Sequence, residues 1–540
     1  MSAASCTVTG HEAIAGTLGA HGVDHVFGIG GTPVHETLAA CARGGMRVVG
    51  VHHQQAAAFM SIAYNYASGR LASAVILSAG PAVSNVTTGL LVARDNGWPL
   101  MVLGGRRPIS TRGLGAFQDL DAVALFGSIT KHAELVASAD TIVPALARAR
   151  DIAMTHPPGP VYLDLTEEAL SGRTAPPGPS PQEGPEGFAI DPGLVARAAE
   201  LLALARRPAL LLGDGLRWTT RPGDVARLVA RLDAPFATTP IGRGVVSDDH
   251  PRACTAVRAA MLADADVVFI AGTRLDWMFR FGAELRRDAT LIHAGADERG
   301  LGGTIPAALS LEGAPGPWLR AIADALERIA RPPPDDEGWR ARIDAARSAR
   351  DDDPPARGAS LPMTEDALVD GVRRWLPGDA FLAVDGNVLL EAAQRRLPSF
   401  QPYSRMTPGH DGCMGTGLSY AIGAKLARPG RPSVVVTGDL ALGLGVMELE
   451  TAVRLRTPVV VVVANNDGNG GGRSERRHYP PGADRVTMFG PGVRYDAIMR
   501  AVGGHGERVE RPGDLVAALE RAAAAGIAAC VDVAIDVPIR

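Results

Sequence analysis

Lysine is almost missing from this chain of 540 residues: it stands only at Lys131 and Lys425, against 52 arginines. Schiff-base chemistry therefore has just two candidate amines. Cysteine is scarce as well. Cys6, Cys41, Cys254, Cys413 and Cys530 are scattered and form no CxxC pair, so neither a disulfide frame nor a zinc site is suggested, and a cytoplasmic home is expected. No run of about 18 apolar residues occurs, and Met1–Ser5 lacks the basic and apolar regions of a signal peptide, so the reading is of a protein that neither crosses nor enters a membrane. Nor is there an excess of positive charge. A net charge of −4 argues against a nucleic-acid partner, whose binding rests on neutralising phosphates.

What is present is material for several cores. Hydrophobic residues make up 46% and charged residues 21%, which excludes disorder as the main state, and the length predicts about three to five domains. Two Pro-rich polar stretches, around Arg173–Glu186 and Arg331–Pro362, read as linkers, because clusters of proline and charge bury too little apolar surface to fold. They leave three domains, 1–172, 190–330 and 361–540. Each alternates short β-branched runs with Ala/Leu-rich stretches. The runs Arg47–Val51, Ala74–Ser78, Pro99–Leu103, Ala209–Leu212, Val267–Ala271, Ser433–Thr437 and Pro458–Ala464 predict strands covered on both faces. The fold class is thus α/β, with three doubly wound parallel-sheet domains. Ligands of such sheets lie beyond the carboxyl ends of the strands.

Two strand ends in the last segment carry chemistry. Ser433–Thr437 runs into Gly438-Asp439, and Pro458–Ala464 runs into Asn465-Asn466-Asp467-Gly468. Within one βαβ unit both ends lie on the same sheet edge, so Asp439 and Asn466 can converge. A carboxylate, an amide and a backbone carbonyl together are what Mg²⁺ bridging a diphosphate requires. The plainer alternative makes Asp439 a helix cap and the asparagines turn residues.

GDL followed by NND at this separation resembles the thiamine diphosphate motif, in which GDG is followed by NN; Leu440 stands where the motif has its second glycine. The resemblance covers essentially the whole chain. GVDHVFGIGGTPV (Gly22–Val34), SAGPAVSN (Ser78–Asn85), GAFQDLD (Gly115–Asp121) and PPGPVYLDLT (Pro157–Thr166) are similar to the pyrimidine-binding domain of the acetolactate synthase superfamily. GDLALGLGVMELET (Gly438–Thr451) and RYDAIMRAVGGHG (Arg494–Gly506) resemble most closely the branch of oxalyl-CoA decarboxylase and 2-hydroxyacyl-CoA lyase. The first, middle and last domains then correspond to pyrimidine-binding, central and diphosphate-binding domains.

That resemblance implies thiamine diphosphate and Mg²⁺ as cofactors, and a lyase or carboligase acting on a 2-hydroxyacyl or 2-keto substrate, a small-molecule acyl compound for which a CoA thioester is possible. It implies Asp439, Asn466 and Gly468 as metal ligands, and Gly80, Asn387, Gly412, Met414, Gly438, Leu440 and Asn469 as cofactor-binding residues, with Met414 under the bend of the cofactor. It further implies a homo-oligomer, dimer or tetramer, whose active sites are shared between the first domain of one subunit and the last of another. The family's proton-shuttling glutamate falls on Gln54, in Val51-His52-His53-Gln54. An amide can bond a ring nitrogen but cannot exchange a proton with it, although glyoxylate carboligase works with an apolar residue there. His53 is a candidate substitute titrating near neutrality, unless it merely faces solvent at the strand end; His35 is open in the same way. Gln118 matches a residue that touches the reacting group. Its neighbour Phe117 replaces a tyrosine of oxalyl-CoA decarboxylase, so oxalyl-CoA is an unexpected substrate, and Asn469-Gly470-Gly471-Gly472 lacks the Ile-Tyr of CoA-using relatives, which implies a larger or more flexible substrate.

Use of CoA stays open. Asp214 stands where oxalyl-CoA decarboxylase has a lysine for a nucleotide phosphate, Gly295 replaces a ribose-binding carboxylate, and the sequence ends at Arg540 without the tail that covers CoA in relatives. Arg405 is the candidate for meeting a CoA phosphate. The alternatives to a 2-hydroxyacyl-CoA lyase-like enzyme are an acetolactate-synthase-like carboligase of free 2-keto acids and, given Gln54, a catalytically silent cofactor-binding partner subunit.

Overall fold

Each of the apolar runs named above is a strand in the computed structural model, which describes residues 7–178, 189–221, 223–296, 300–330, 337–351, 362–470, 480, 482, 487–490 and 492–536. The first sheet places its strands in the order Arg47–Gly50, His25–Ile29, Ser73–Leu77, Leu100–Arg106, Pro160–Thr166, His132–Val136. The middle sheet runs Phe236–Thr238, Pro208–Leu212, Val267–Ala271, Thr290–Ala296, Leu309–Glu312, and the last runs Arg405–Met406, Phe381–Asp385, Ser433–Gly438, Val459–Asn465, Ala529–Ala534, His505–Val509. All pairings within these sheets are parallel. Counted within each sheet, the first and last share the strand order 2-1-3-4-6-5. In all three the order reverses beside the first strand, which opens a crevice there. Among the described residues, no helix is long and apolar enough to cross a membrane.

The first and last domains meet through two helices. Gln54–Ser68 is covered around its circumference, with Ala56 to Ala67 all buried and the polar Ser61 and Asn65 among them bonded to Ser73, Ala72 and Pro99, an arrangement that needs neighbours on several sides. It lies against Gly417–Ala427, and a Cβ on Gly423 would stand 2.2 Å from the carbonyl oxygen of Met60. Only glycine allows so close an approach of two backbones. Phe59 and Tyr420 pack edge to face at 5.9 Å beside this contact. The middle domain is fastened to the same helix: Arg217 donates to the carbonyls of Tyr66 (2.7 Å) and Ala67 (3.1 Å) and lies 4.3 Å over the ring of Tyr403.

Both presumed linkers contain ordered chain. Arg173–Thr174 pairs antiparallel with Val8–Thr9, whereas residues 179–188 lie outside the described residues. Within the second, Glu337–Asp351 is a helix whose Trp339 and Ile343 are 1% and 2% exposed in the middle domain's core. The indole of Trp339 donates to Met261 O at 3.1 Å. One apolar pair at i,i+4 gives this polar segment a core-facing stripe, a signal hidden by the proline and aspartate around it.

Truncating that anchor should therefore cost what a buried tryptophan costs. Trp339→Ala is expected to destabilise the middle domain by about 3–5 kcal/mol, read as a lower denaturation midpoint by circular dichroism in urea. A midpoint equal to the unaltered protein's would show that the helix is not part of the core.

Candidate active site

The carboxyl edge of the first sheet gathers most of the residues expected there. Gly80 follows the strand Ser73–Leu77, and a Cβ on it would fall 2.7 Å from Cβ of Gln118, which itself has φ +59°. Gln54 opens the helix Gln54–Ser68, and its amide oxygen accepts from Nδ2 of Asn85 at 3.0 Å. The two neighbouring histidines have structural engagements. Nδ1 of His53 caps this helix by accepting from the Gln55 N–H (3.1 Å), which in the neutral ring puts the proton on Nε2. His52 pairs through Nε2 with Glu450 at 2.8 Å. His35 is exposed in the first turn of His35–Arg43, with its ring beside Gly30. Phe117 and Leu114, on the loop carrying Gln118, are 75% and 78% exposed.

In the last domain, Asp439 directly follows the strand Ser433–Gly438 as a buried carboxyl that accepts from the N–H of Gly468 (2.9 Å) and of Leu440 (2.7 Å). Asn466 is buried beside it and donates from Nδ2 to Gly470 O at 2.7 Å, which turns its amide oxygen the other way. Burial, with the nearby carboxylate of Asp467 adding to it, pushes Asp439 up to about 6. Two buried carboxyls this close favour a cation between or beside them. The donor set therefore fits Mg²⁺: one carboxylate, one amide and backbone oxygen. Across the crevice, Gly386 has φ +92° and a Cβ there would reach 3.1 Å from the Gly438 N, so the two strand ends leave a backbone-lined cradle. Asn387 begins the helix Asn387–Arg396 at this cradle, and free N–H groups of a helix start suit a diphosphate. Gly412, at φ +67°, and the half-buried Met414 lie on the loop leading to Gly417–Ala427. Asn469 is exposed and donates from its N–H to Thr487 O at 2.7 Å; Gly471 and Gly472 lie outside the described residues.

Three acids were not singled out by sequence. Asp385, at the end of Phe381–Asp385, accepts the N–H groups of Gly415 (3.0 Å) and Gly417 (2.8 Å) and so holds the Met414 loop. Asp467 takes the Gly492 N–H at 3.2 Å. Glu448, 1% exposed, accepts from the N–H of His52 (2.9 Å) and His53 (3.3 Å) and from the Thr451 hydroxyl (2.7 Å), and burial raises its pKa. A strand-end position was the available signal for Asp385. Nothing local marks Glu448. One expectation is corrected: Arg405 cannot meet a CoA phosphate. It is 1% exposed and donates to the carbonyls of Leu397 (2.7 Å) and Ala393 (3.2 Å) at the end of Asn387–Arg396, a helix terminus whose partial negative charge suits a cation.

Asp385 supplies a pH test. Desolvation raises it from 3.8 to about 6, so its folded form binds the extra proton, and the stability it contributes below pH 4 is lost as the pH rises through about 6. Asp385→Asn is expected to remove this dependence, so that between pH 4 and pH 7 the variant gains on the unaltered cofactor-free protein by roughly 2 kcal/mol. Denaturation midpoints at the two pH values check it; parallel pH profiles would contradict it.

Three family models match the chain. They are described as the N-terminal binding domain, the central domain and the C-terminal binding domain of thiamine pyrophosphate enzymes, at residues 8–125, 195–322 and 386–533. The acetolactate synthase large subunit IlvG of Mycobacterium tuberculosis (strain ATCC 25618 / H37Rv) is 31% identical, over 97% of this chain and 95% of its own length. The 2-hydroxyacyl-CoA lyase of Oryza sativa subsp. japonica is 29% identical over 97% and 95%, and 2-hydroxyacyl-CoA lyase 1 of Homo sapiens 28% over 96% and 92%. With matched domains at both cofactor half-sites and relatives aligned end to end, the chain belongs to the thiamine diphosphate-dependent enzymes, in the group that joins acetolactate synthases to 2-hydroxyacyl-CoA lyases.

Proposed function

We propose that the protein is a Mg²⁺-assisted thiamine diphosphate lyase or carboligase of the 2-hydroxyacyl-CoA lyase type, acting on a 2-hydroxyacyl or 2-keto substrate. The observation that carries it is the cradle between Gly386 and Gly438, closed by the buried Asp439 and Asn466. When bound, thiamine diphosphate supplies a carbon nucleophile for a carbonyl and a sink for the electron pair left when the adjacent C–C bond breaks. Asp439, Asn466 and the backbone of Gly468 would hold the metal. Asn387, Gly438, Leu440 and Asn469 would surround the diphosphate, and Gly412 and Met414 would seat the ring system on a loop that Asp385 fixes. Gly80, Gln118, Gln54, His53 and His35 would face the cofactor held by a second copy of the chain, and the exposed Leu114 and Phe117 supply apolar surface for such a homo-oligomer.

Gln54 orients but does not exchange a proton, since its amide has no titratable group. Two other readings have support of their own: the similarity to the Mycobacterium tuberculosis acetolactate synthase favours a carboligase of free 2-keto acids, and Gln54 favours a silent subunit paired with an active homologue. A survey of 2-hydroxyacyl-CoA, free 2-hydroxy acid and 2-keto acid donors with cofactor and Mg²⁺ separates them. Cleavage of the thioester alone supports the proposal, and turnover of free keto acids alone supports the carboligase.

Asp439→Ala should abolish Mg²⁺-dependent binding of thiamine diphosphate in a calorimetric titration while the far-ultraviolet dichroism stays unchanged. Unaltered affinity would sink the metal assignment. Gln54→Glu restores a carboxyl whose burial raises its pKa toward the range useful for proton transfer. It is expected to speed hydrogen–deuterium exchange at C2 of bound cofactor by at least about tenfold, a threshold set below the roughly 10²–10⁴-fold that a positioned acid–base group contributes. Exchange already as fast in the unaltered protein would mean that another group does this work.

A further inference from the structure

The crevice of the middle sheet, beside Pro208–Leu212 and Val267–Ala271, is where an open α/β sheet takes its ligand. Here the chain's other domains occupy it. The indole N–H of Trp98, from the first domain, reaches the carboxyl of Asp214 at 3.2 Å, and the Thr239 hydroxyl reaches the same group at 3.3 Å; Asp214 is 4% exposed. From the last domain, His410 enters beside it, its ring paired with the carboxylate of Asp276. The space left between Asp95, His156, Asp214, Arg274, Asp276 and His410 is about 80 Å³, against roughly 300–1,000 Å³ for pockets that hold organic ligands.

His410 is gripped through both its backbone and its ring. Its N–H donates to Oδ1 of Asn96 (3.0 Å), its carbonyl accepts from Nε1 of Trp277 (2.8 Å), and its ring meets Asp276. Asp276 in turn accepts from the N–H of Met278 at 2.9 Å, and its carbonyl takes the N–H of Phe281 at 2.8 Å. The same turn holds Arg280 and Phe281 at φ +50° and +53°. Two adjacent non-glycine residues in that region store strain that the surroundings must maintain, and such strain collects where a segment is built to hold something. Two residues beyond His410 lies Gly412, and four beyond lies Met414.

We propose that the middle domain's ligand crevice has become an anchor for the cofactor loop. Asp276 and Trp277 are positioning residues that fix Gly412 and Met414 through His410, and no adenine nucleotide binds there. The inference rests on the reading of His410–Leu418 as the loop that seats thiamine diphosphate.

The test is a calorimetric titration of thiamine diphosphate with Mg²⁺ into the full-length protein and into Asp276→Asn, His410→Asn, their double variant, Asp276→Glu, Trp277→Phe and Met414→Ala. A charge-assisted contact that organises the loop predicts about tenfold weaker binding in each of Asp276→Asn and His410→Asn. The double variant should lose no more than the weaker single, because the pair acts as a unit. Asp276→Glu should recover part of the affinity, Trp277→Phe should lose severalfold, and the melting temperatures of the unliganded proteins should stay close to that of the unaltered chain. Millimolar ADP should leave the melting temperature of the unaltered protein where it is. Unchanged affinity in Asp276→Asn, additive losses in the double variant, an equal loss in Asp276→Glu with a lowered melting temperature, or stabilisation by ADP would each overturn the proposal. Failure of the loop reading has its own mark: Met414→Ala would then bind the cofactor as well as the unaltered chain.

Discussion

A helix with no exposed side is the element on which the rest is hung. Gln54–Ser68 can be satisfied only if more than its own sheet covers it, and Gly417–Ala427 supplies the missing cover at backbone distance over Gly423. That contact joins what would otherwise be two separate hydrophobic cores. It also sets where the ends of the two helices emerge. The start of one carries Gln54, the approach to the other carries Gly412 and Met414, and Glu448 reaches from the last domain onto the peptide groups just before Gln54. The middle domain then clasps the far end of the same helix through Arg217.

The electrostatics of the site follow from keeping water out. Asp385, Asp439 and Asp411 are each drawn up to about 6, with desolvation as the leading cause. The compensation differs from one to the next. Asp385 is repaid by peptide N–H groups of the loop it holds. Asp439 has peptide N–H groups on both oxygens but also faces Asp467, and so leaves an excess of negative charge that suits a divalent ion. Asp411 has Asp95 beside it, which adds to the shift. Buried Arg405 is the converse case, a cation matched by carbonyls at a helix end.

Legibility divides along the same physical lines. Strands were readable because a sheet buried on both faces demands continuous β-branched runs, as Val434–Val436 and Val459–Val463 show. Asp439 and Asn466 were readable because the topology of a βαβ unit alone brings their strand ends together. The helix Glu337–Asp351 was hidden because two apolar residues four apart do not stand out among proline, arginine and aspartate. Arg405 misled because nothing in a sequence distinguishes a guanidinium that serves a ligand from one that closes a helix. Glu448 was out of reach for another reason: its contact with His52 spans 396 residues.

The shared strand order of the outer sheets has a historical implication. Two units of one topology, joined in one chain, are what a doubling of a single ancestral unit leaves behind. In both, the helix that follows the second strand faces its counterpart, Gln54–Ser68 against Gly417–Ala427. In one copy the approach to that helix is three residues long and leads to an amide, Gln54; in the other it is ten residues long and carries Gly412 and Met414. Each half can therefore vary at its own end of the crevice without disturbing the other, as long as the contact between the two helices is kept.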